Sequence, residues 1–254
     1  SNSIIFSGPV VINAGSLTMG GDSGLHNSVS LANTSGVILN LGGNDVFVRN
    51  LSGGGTSGGN IVLGSVELII DTVSGSNATF TGVISGNGSV VKKGYGSLTL
   101  AAANTYTGGT TISEGSLVVG INNALKSTGA VIVSSPEFNS GTGAMLLIAD
   151  GFSQTIGTLS GSSGGSMLNI TGDLTVTQGS TGSYAGILGG QGTFTKTGTS
   201  SLTLSNSVNF FGSVAINAGS LIMGSNSYFY KTVTLADTSG AVLNIGSTTL
   251  SVRG

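Results

Sequence analysis

Acidic side chains are the residues of this sequence that could do chemistry, since enzymes that cleave polysaccharides need clustered carboxylates, often with Arg or Lys. Asp45 and Arg49 are the nearest acid–base pair, but a later copy of the same segment has Thr249 in place of Asp45. Glu67 and Asp71 are four residues apart, which places them on one face of a strand. The nine acids are spread along the chain: Asp22, Asp45, Glu67, Asp71, Glu114, Glu137, Asp150, Asp173 and Asp237. We therefore expect solvated carboxylates and no catalytic residues.

The remaining composition argues against several other functions. His26 is the single histidine and cysteine is absent, so the sequence predicts no catalytic triad, no thiolate nucleophile, no metal site and no cofactor. With Lys+Arg at 7, Asp+Glu at 9 and a net charge of -2, the chain lacks the basic footprint of nucleic-acid binding. No apolar run approaches the ~18 residues of a membrane helix, so we expect no membrane insertion by this segment.

Internal repeats organise the chain. Residues 1–50 align without a gap on residues 205–254, and both contain Ile-Asn-Ala-Gly-Ser-Leu, beginning at Ile12 and Ile216. A middle copy lies between them, because residues 184–204 match the segment that lies 104 positions earlier. The alignments predict repeat units of approximately 1–100, 101–204 and 205–254, the last of them partial.

Short runs of alternating apolar residues, separated by Gly and Asn turns, predict strands with one buried face. Such strands could form a sandwich, a closed barrel or a solenoid. The copies follow one another without Pro, charge runs or a change of composition, which favours a solenoid. The sequence therefore predicts an all-β fold: a right-handed parallel β-solenoid (β-helix) built from internal repeats of about 100 residues, in a single continuous segment over 1–254.

One segment carries a family resemblance. Residues 92–120, KKGYGSLTLAAANTYTGGTTISEGSLVVG, closely resemble the passenger-associated repeat of bacterial autotransporters, with weaker echoes at Lys196–Leu204 and Ile12–Gly20. The resemblance implies a passenger segment of a type V secretion protein, extracellular and displayed on a Gram-negative bacterial surface. Members of this family are mostly adhesins, surface antigens or structural stalks. Their repeat is thought to assist folding and transport, and it has no catalytic residues to transfer.

Recognition is expected where the repeat is broken, because loops that leave a solenoid usually form the binding surface. One such place is the loop at 134–143, which contains Pro136, Glu137 and Phe138. The other replaces residues 24–27 of the first copy with Tyr228, Phe229, Tyr230 and Lys231. Exposed aromatic rings at a turn suit contact with a protein or a glycan. Alternatively, every second ring covers the core.

Three functions remain, in order of preference. The first is a non-catalytic extracellular stalk or adhesin segment on a bacterial surface, with a host or neighbouring-cell surface protein or glycan as partner. The second is a self-assembling filament subunit that associates end to end, because open solenoid ends expose strand edges. The third is a carbohydrate-active β-helix enzyme, which requires acids that converge in one groove.

Overall fold

The computed structural model describes residues 8–20, 24–135, 143–162, 165–237 and 240–253. Within these ranges the chain forms 31 strands and no helix, and so has no helix that could span a membrane. Strands pair in parallel with strands about 20 residues later, as successive coils of a solenoid do. The predicted all-β parallel β-solenoid is therefore confirmed. The predicted repeat boundaries and the single continuous segment stay predictions.

The chain divides into two compact units, residues 1–126 and residues 127–254, here called the N-terminal and C-terminal units. The strands of the N-terminal unit are β1 (Val10–Ile12), β2 (Ser16–Thr18), β3 (Val29–Leu31), β4 (Ile38–Asn40), β5 (Val46–Arg49), β6 (Leu51–Gly53), β7 (Asn60–Val62), β8 (Glu67–Asp71), β9 (Asn77–Phe80), β10 (Ile84–Ser85), β11 (Ser89–Lys93), β12 (Ser97–Leu100), β13 (Thr110–Ile112) and β14 (Ser116–Val119). Inside this unit they stack in the orders β1-β3-β6-β9-β12-β14, β2-β4-β7-β10 and β5-β8-β11-β13.

The C-terminal unit is built in the same way. Its strands are β15 (Ala130–Val133), β16 (Met145–Ile148), β17 (Ser153–Ile156), β18 (Thr158–Ser160), β19 (Met167–Ile170), β20 (Asp173–Val176), β21 (Gly182–Tyr184), β22 (Ile187–Gly190), β23 (Thr193–Lys196), β24 (Leu202–Leu204), β25 (Asn209–Phe210), β26 (Ser213–Ile216), β27 (Ser220–Met223), β28 (Ser227–Phe229), β29 (Val233–Leu235), β30 (Val242–Asn244) and β31 (Leu250–Val252). They stack in the orders β15-β18, β16-β19-β22, β17-β20-β23-β26-β29, β21-β24-β27-β30 and β25-β28-β31.

Alternation along each strand fills the interior of both units. In β8, Leu68 and Ile70 are fully buried while Glu67, Ile69 and Asp71 face outward. Parallel register then places each inward residue over an inward residue of the next coil, so the core consists of columns of mostly apolar side chains. Burying one Leu or Ile stabilises the fold by about 1.5–3 kcal/mol, and this burial is repeated in every coil.

Asn104 shows how a coil closes where no strand forms. Its Oδ1 accepts a hydrogen bond from the Ile84 amide at 2.7 Å. Its Nδ2 donates to the carbonyls of Ala102 and Ala124, at 3.1 and 2.8 Å. This buried side chain therefore ties three successive coils and leaves none of its polar atoms unpaired, as burial of an amide requires.

Two lysines interrupt the aliphatic columns. Lys92 is 0% exposed and lies in register with Ile70 and Ile112. Its Nζ donates to the carbonyls of Lys93 and Gly94, both at 2.7 Å, and to the carbonyl of Glu114 one coil later, at 3.1 Å. All three ammonium protons thus have acceptors, which offsets part of the cost of removing water from around the charge.

Lys196 repeats this arrangement 104 residues later. It is 0% exposed, and its Nζ donates to the carbonyls of Thr197 at 2.6 Å and Gly198 at 2.9 Å. The third acceptor is again one coil further on, the carbonyl of Ala218 at 3.1 Å. Burial lowers the pKa of Lys196. The two sites share the acceptor positions and the glycine, and differ in the residue types of the first acceptor and of the distant acceptor.

Stability is expected to depend on pH through Lys92. Burial lowers its pKa from 10.5 to about 8, against the opposing effect of the Asp71 and Glu114 carboxylates. Between these two values the unfolded chain binds more protons than the folded chain, so the free energy of unfolding rises with pH. Denaturant titrations at about pH 7.5 and about pH 9.5 should show wild type gaining stability relative to Lys92→Met. The exposed neighbour gives the control, since Lys93→Met should track wild type at both pH values. A pH-independent difference between wild type and Lys92→Met would contradict the expectation.

The glycine at the lysine corner is expected to be irreplaceable. Gly198 has φ +74°, and a Cβ there would overlap the carbonyl oxygen of Thr177 in the coil before. Gly151 has φ +79° but open space around the same position, so it is a matched control. Gly151→Ala should cost only the left-handed backbone penalty of about 1–2 kcal/mol, and Gly198→Ala about 1–3 kcal/mol more from overpacking. Thermal unfolding of both variants measures the difference, and equal losses would show that the corner tolerates a side chain.

Candidate functional site

Charged side chains meet across coils rather than along the sequence. Arg49 does not pair with Asp45 in the structure: its Nε lies 3.8 Å from Oδ2 of Asp71 in the next coil. Asp45 instead accepts a hydrogen bond from the backbone amide of Glu67 at 2.8 Å. Arg49, Asp71 and Lys93 are in register on neighbouring strands, so this outward column alternates in sign. Opposite charges in such positions stabilise a sheet by about 0.2–1 kcal/mol.

The other carboxylates of this face also act as hydrogen-bond acceptors within the solenoid. Glu67 Oε2 accepts from the Ser89 hydroxyl at 3.4 Å, and Glu114 Oε2 accepts from the Gly94 amide at 2.9 Å. Across the ranges that the structure describes, no three His, Cys, Asp or Glu side chains are placed to hold a metal ion. The arrangement supports a structural use of these acids.

The first predicted recognition segment lies mostly outside the described residues. Pro136, Glu137 and Phe138 belong to the range 136–142, for which the structure gives no placement. Just before it, the Ser134 hydroxyl lies 3.0 Å from that of Ser162 in the following coil. The predicted role of the loop residues stays a prediction.

The second predicted segment is placed on and after β28, and strand alternation separates its two leading rings. Tyr228 is 47% exposed, whereas Phe229 is 1% exposed and lies in register with Phe210. Phe229 therefore belongs to the core. This agrees with the alternative interpretation of the sequence, in which every second ring covers the core. Tyr228 presents its ring to solvent, and Lys231 is exposed as well.

Tyr230 takes part in an aromatic stack that sequence analysis missed. Its ring lies 4.3 Å from that of Phe211 with an angle of 13° between the planes. The guanidinium of Arg253 lies 5.9 Å from the Tyr230 centroid, within the range of a cation–π contact. Phe211 is 47% exposed, so this stack and Tyr228 form an exposed aromatic patch, defined here as Phe211, Tyr228 and Tyr230.

A polar corner adjoins this patch. Asp150, Thr171, Gln191 and Lys231 line one concave surface of the C-terminal unit. Lys231 reaches back along the coils, and its Nζ donates to the carbonyl of Gln191 at 3.5 Å. A carboxylate, a hydroxyl, an amide and an ammonium group together can bind the hydroxyls of a glycan or the polar groups of a protein. Asp150, Thr171 and Gln191 follow one another at intervals of about one coil. This spacing is the one feature of the sequence that could have predicted their meeting at a corner.

Comparison with known proteins gives two matches. The passenger-associated-transport-repeat family matches residues 90–119 and 194–223. The buried lysine is the third residue of each match, and its three carbonyl acceptors fall inside the same match. The family match thus coincides with the repeated lysine site described above.

The chain is also 34% identical over 148 residues to the adhesin BmaC autotransporter of Brucella suis biovar 1 (strain 1330). The aligned region is 56% of this chain and 4% of that relative, so the chain spans a small part of its length. No solved structure matches the chain. The repeat matches and this similarity confirm the predicted resemblance: the chain contains two passenger-associated-transport repeats and is similar to part of an autotransporter adhesin.

Proposed function

We propose that this chain is a non-catalytic segment of a surface adhesin, displayed outside a Gram-negative cell as part of its structural stalk. The observation that carries the proposal is the pair of transport-repeat matches, each of which contains a buried lysine with the same three acceptor positions. The similarity to a protein named as an autotransporter adhesin supports both the surface location and the adhesive role.

The use of the acids supports a function without catalysis. Four carboxylates of the N-terminal unit have assigned structural partners: Asp45, Glu67, Asp71 and Glu114. A glycosidase or lyase would instead direct two such groups at a substrate. Cross-coil pairing of these groups is what a stalk requires, because each pair ties one coil to the next.

The recognition surface that we propose is the aromatic patch with its polar corner. Aromatic rings flanked by polar groups dominate binding energy at protein interfaces. Its partner is a host or neighbouring-cell surface protein or glycan. The loop residues Pro136, Glu137 and Phe138 are a second candidate on sequence grounds, and end-to-end self-association stays a prediction that sedimentation of the native protein can test.

Surface display is tested with an epitope tag between Gly42 and Gly43 of the parent protein. Both residues are exposed; Gly42 stays unchanged against the Met19 carbonyl, and the inserted chain continues into Gly43, which has open space around it. An antibody should label intact bacteria as strongly as permeabilised ones. Labelling that requires permeabilisation would contradict the proposed display on the cell surface.

Adhesion is tested by truncating one exposed ring. Tyr228→Ala should weaken binding of the purified chain to host cells by about 30-fold or more, since truncation of an interface hot spot costs at least about 2 kcal/mol. Tyr95→Ala is the matched control, because Tyr95 is similarly exposed, at 45%, and is not one of the residues of the aromatic patch. Equal binding by both variants would exclude this patch and direct the same assay to Phe138→Ala.

A further inference from the structure

The alternation of inward and outward side chains does not by itself fix the register between the strands of consecutive coils. A one-residue slip between strands turns the apolar side outward, but a two-residue slip keeps every inward residue inward. In β23 and β26 the inward residues are Phe194 and Lys196 against Val214 and Ile216. Apart from the lysine, the slipped stack would bury apolar residues as the native one does. Hydrophobic burial alone therefore does not discriminate between these registers.

The lysine does discriminate, because one of its acceptors belongs to the next coil. The carbonyls of Thr197 and Gly198 are fixed to Lys196 by the local turn, whatever the next coil does. The carbonyl of Ala218 meets the ammonium only in the native register. A two-residue slip moves that carbonyl by about 6.6 Å along the strand, beyond hydrogen-bond reach.

The glycine corners restrict the same junction. Gly198 and Gly219 both have positive φ, and a Cβ on Gly219 would overlap the carbonyl of Gly198. The corners of the two coils therefore lie one on the other without side chains between them. The same features recur around Lys92, where Gly94 and Gly115 hold the equivalent positions.

We propose that Lys92 and Lys196, each with the glycine corners of two consecutive coils, are register locks of the solenoid. Each lysine is a positioning residue: it buries a charge that is satisfied only when the following coil stacks in the native register. A coil that stacks two residues away leaves a buried ammonium proton without an acceptor, which is costly in an apolar interior. This inference does not rest on the adhesive function.

A disulfide assay reads the register directly, since the chain has no cysteine of its own. Thr195 and Ala215 are paired outward residues, so T195C/A215C reports the native register. Ser213 lies two residues before Ala215 on the same face, so T195C/S213C reports the two-residue slip that brings Ser213 opposite Thr195. Paired strands lie about 4.8 Å apart and the diagonal positions about 8 Å, and a disulfide forms only below about 7 Å.

Both cysteine pairs are refolded from denaturant under oxidising conditions, with Lys196 intact and with Lys196→Met. The intact chain should form the T195C/A215C disulfide and little of the T195C/S213C disulfide. Lys196→Met should raise the yield of the slipped disulfide at least about tenfold, the factor that corresponds to one unsatisfied buried donor. Lys93→Met removes an exposed lysine of the N-terminal unit and should leave both yields unchanged. Unchanged yields in Lys196→Met would overturn the proposal.

A second measurement covers the case in which Lys196→Met does not fold. Lys196→Ala removes three methylenes and the ammonium, and n-propylammonium supplies that group from solution. Added n-propylammonium chloride should restore exclusive formation of the T195C/A215C disulfide, whereas n-propanol with sodium chloride should not. Equal effects of the two additives would show that the site needs volume and not charge, and would also overturn the proposal.

Discussion

Parallel stacking of coils places each side chain against its counterpart about 4.8 Å away, and this spacing constrains every other feature of the protein. A charge that recurred at the same position would repel its own copies, so an outward column tolerates charge only when the sign alternates, as in Arg49, Asp71 and Lys93. An uncharged residue has no such restriction. The chain accordingly carries few charges and many Ser, Thr, Asn and Gly residues.

Inside the coils, the backbone carbonyls at the corners impose a second constraint. A solenoid corner turns its peptide groups away from the strand ladder, and those carbonyls need donors. Asn104 provides donors and an acceptor for one corner, and the two buried lysines provide three donors each for others. The polar head groups of Asn104, Lys92 and Lys196 therefore all bind carbonyls where the chain bends, although the two lysines themselves project from strands.

The fold was predictable from the sequence because repeats and alternation are local patterns. The exposure of Tyr228 and the burial of Phe229 follow from the same alternation. The pairing of Arg49 with Asp71 was not predictable, because it depends on the length of an individual coil, and coil lengths vary with the loops. The burial of Lys196 was missed because lysine is normally a surface residue. Two features of the sequence could have predicted this burial. Lys196 follows the apolar Phe194 by two residues, which places both on the same face of a strand, and it aligns with Lys92 at the 104-residue shift of the repeat.

Each lysine and its acceptors lie within one matched repeat of 30 residues, from 90 to 119 and from 194 to 223. A duplication of that segment therefore copies the ammonium group together with every carbonyl that it needs. Duplication of the larger unit of about 104 residues that contains this segment therefore lengthens a solenoid without leaving a buried ammonium group unpaired. Because the segment contains both the lysine and its acceptors, it is also suitable for grafting into designed solenoids as a junction between two coils.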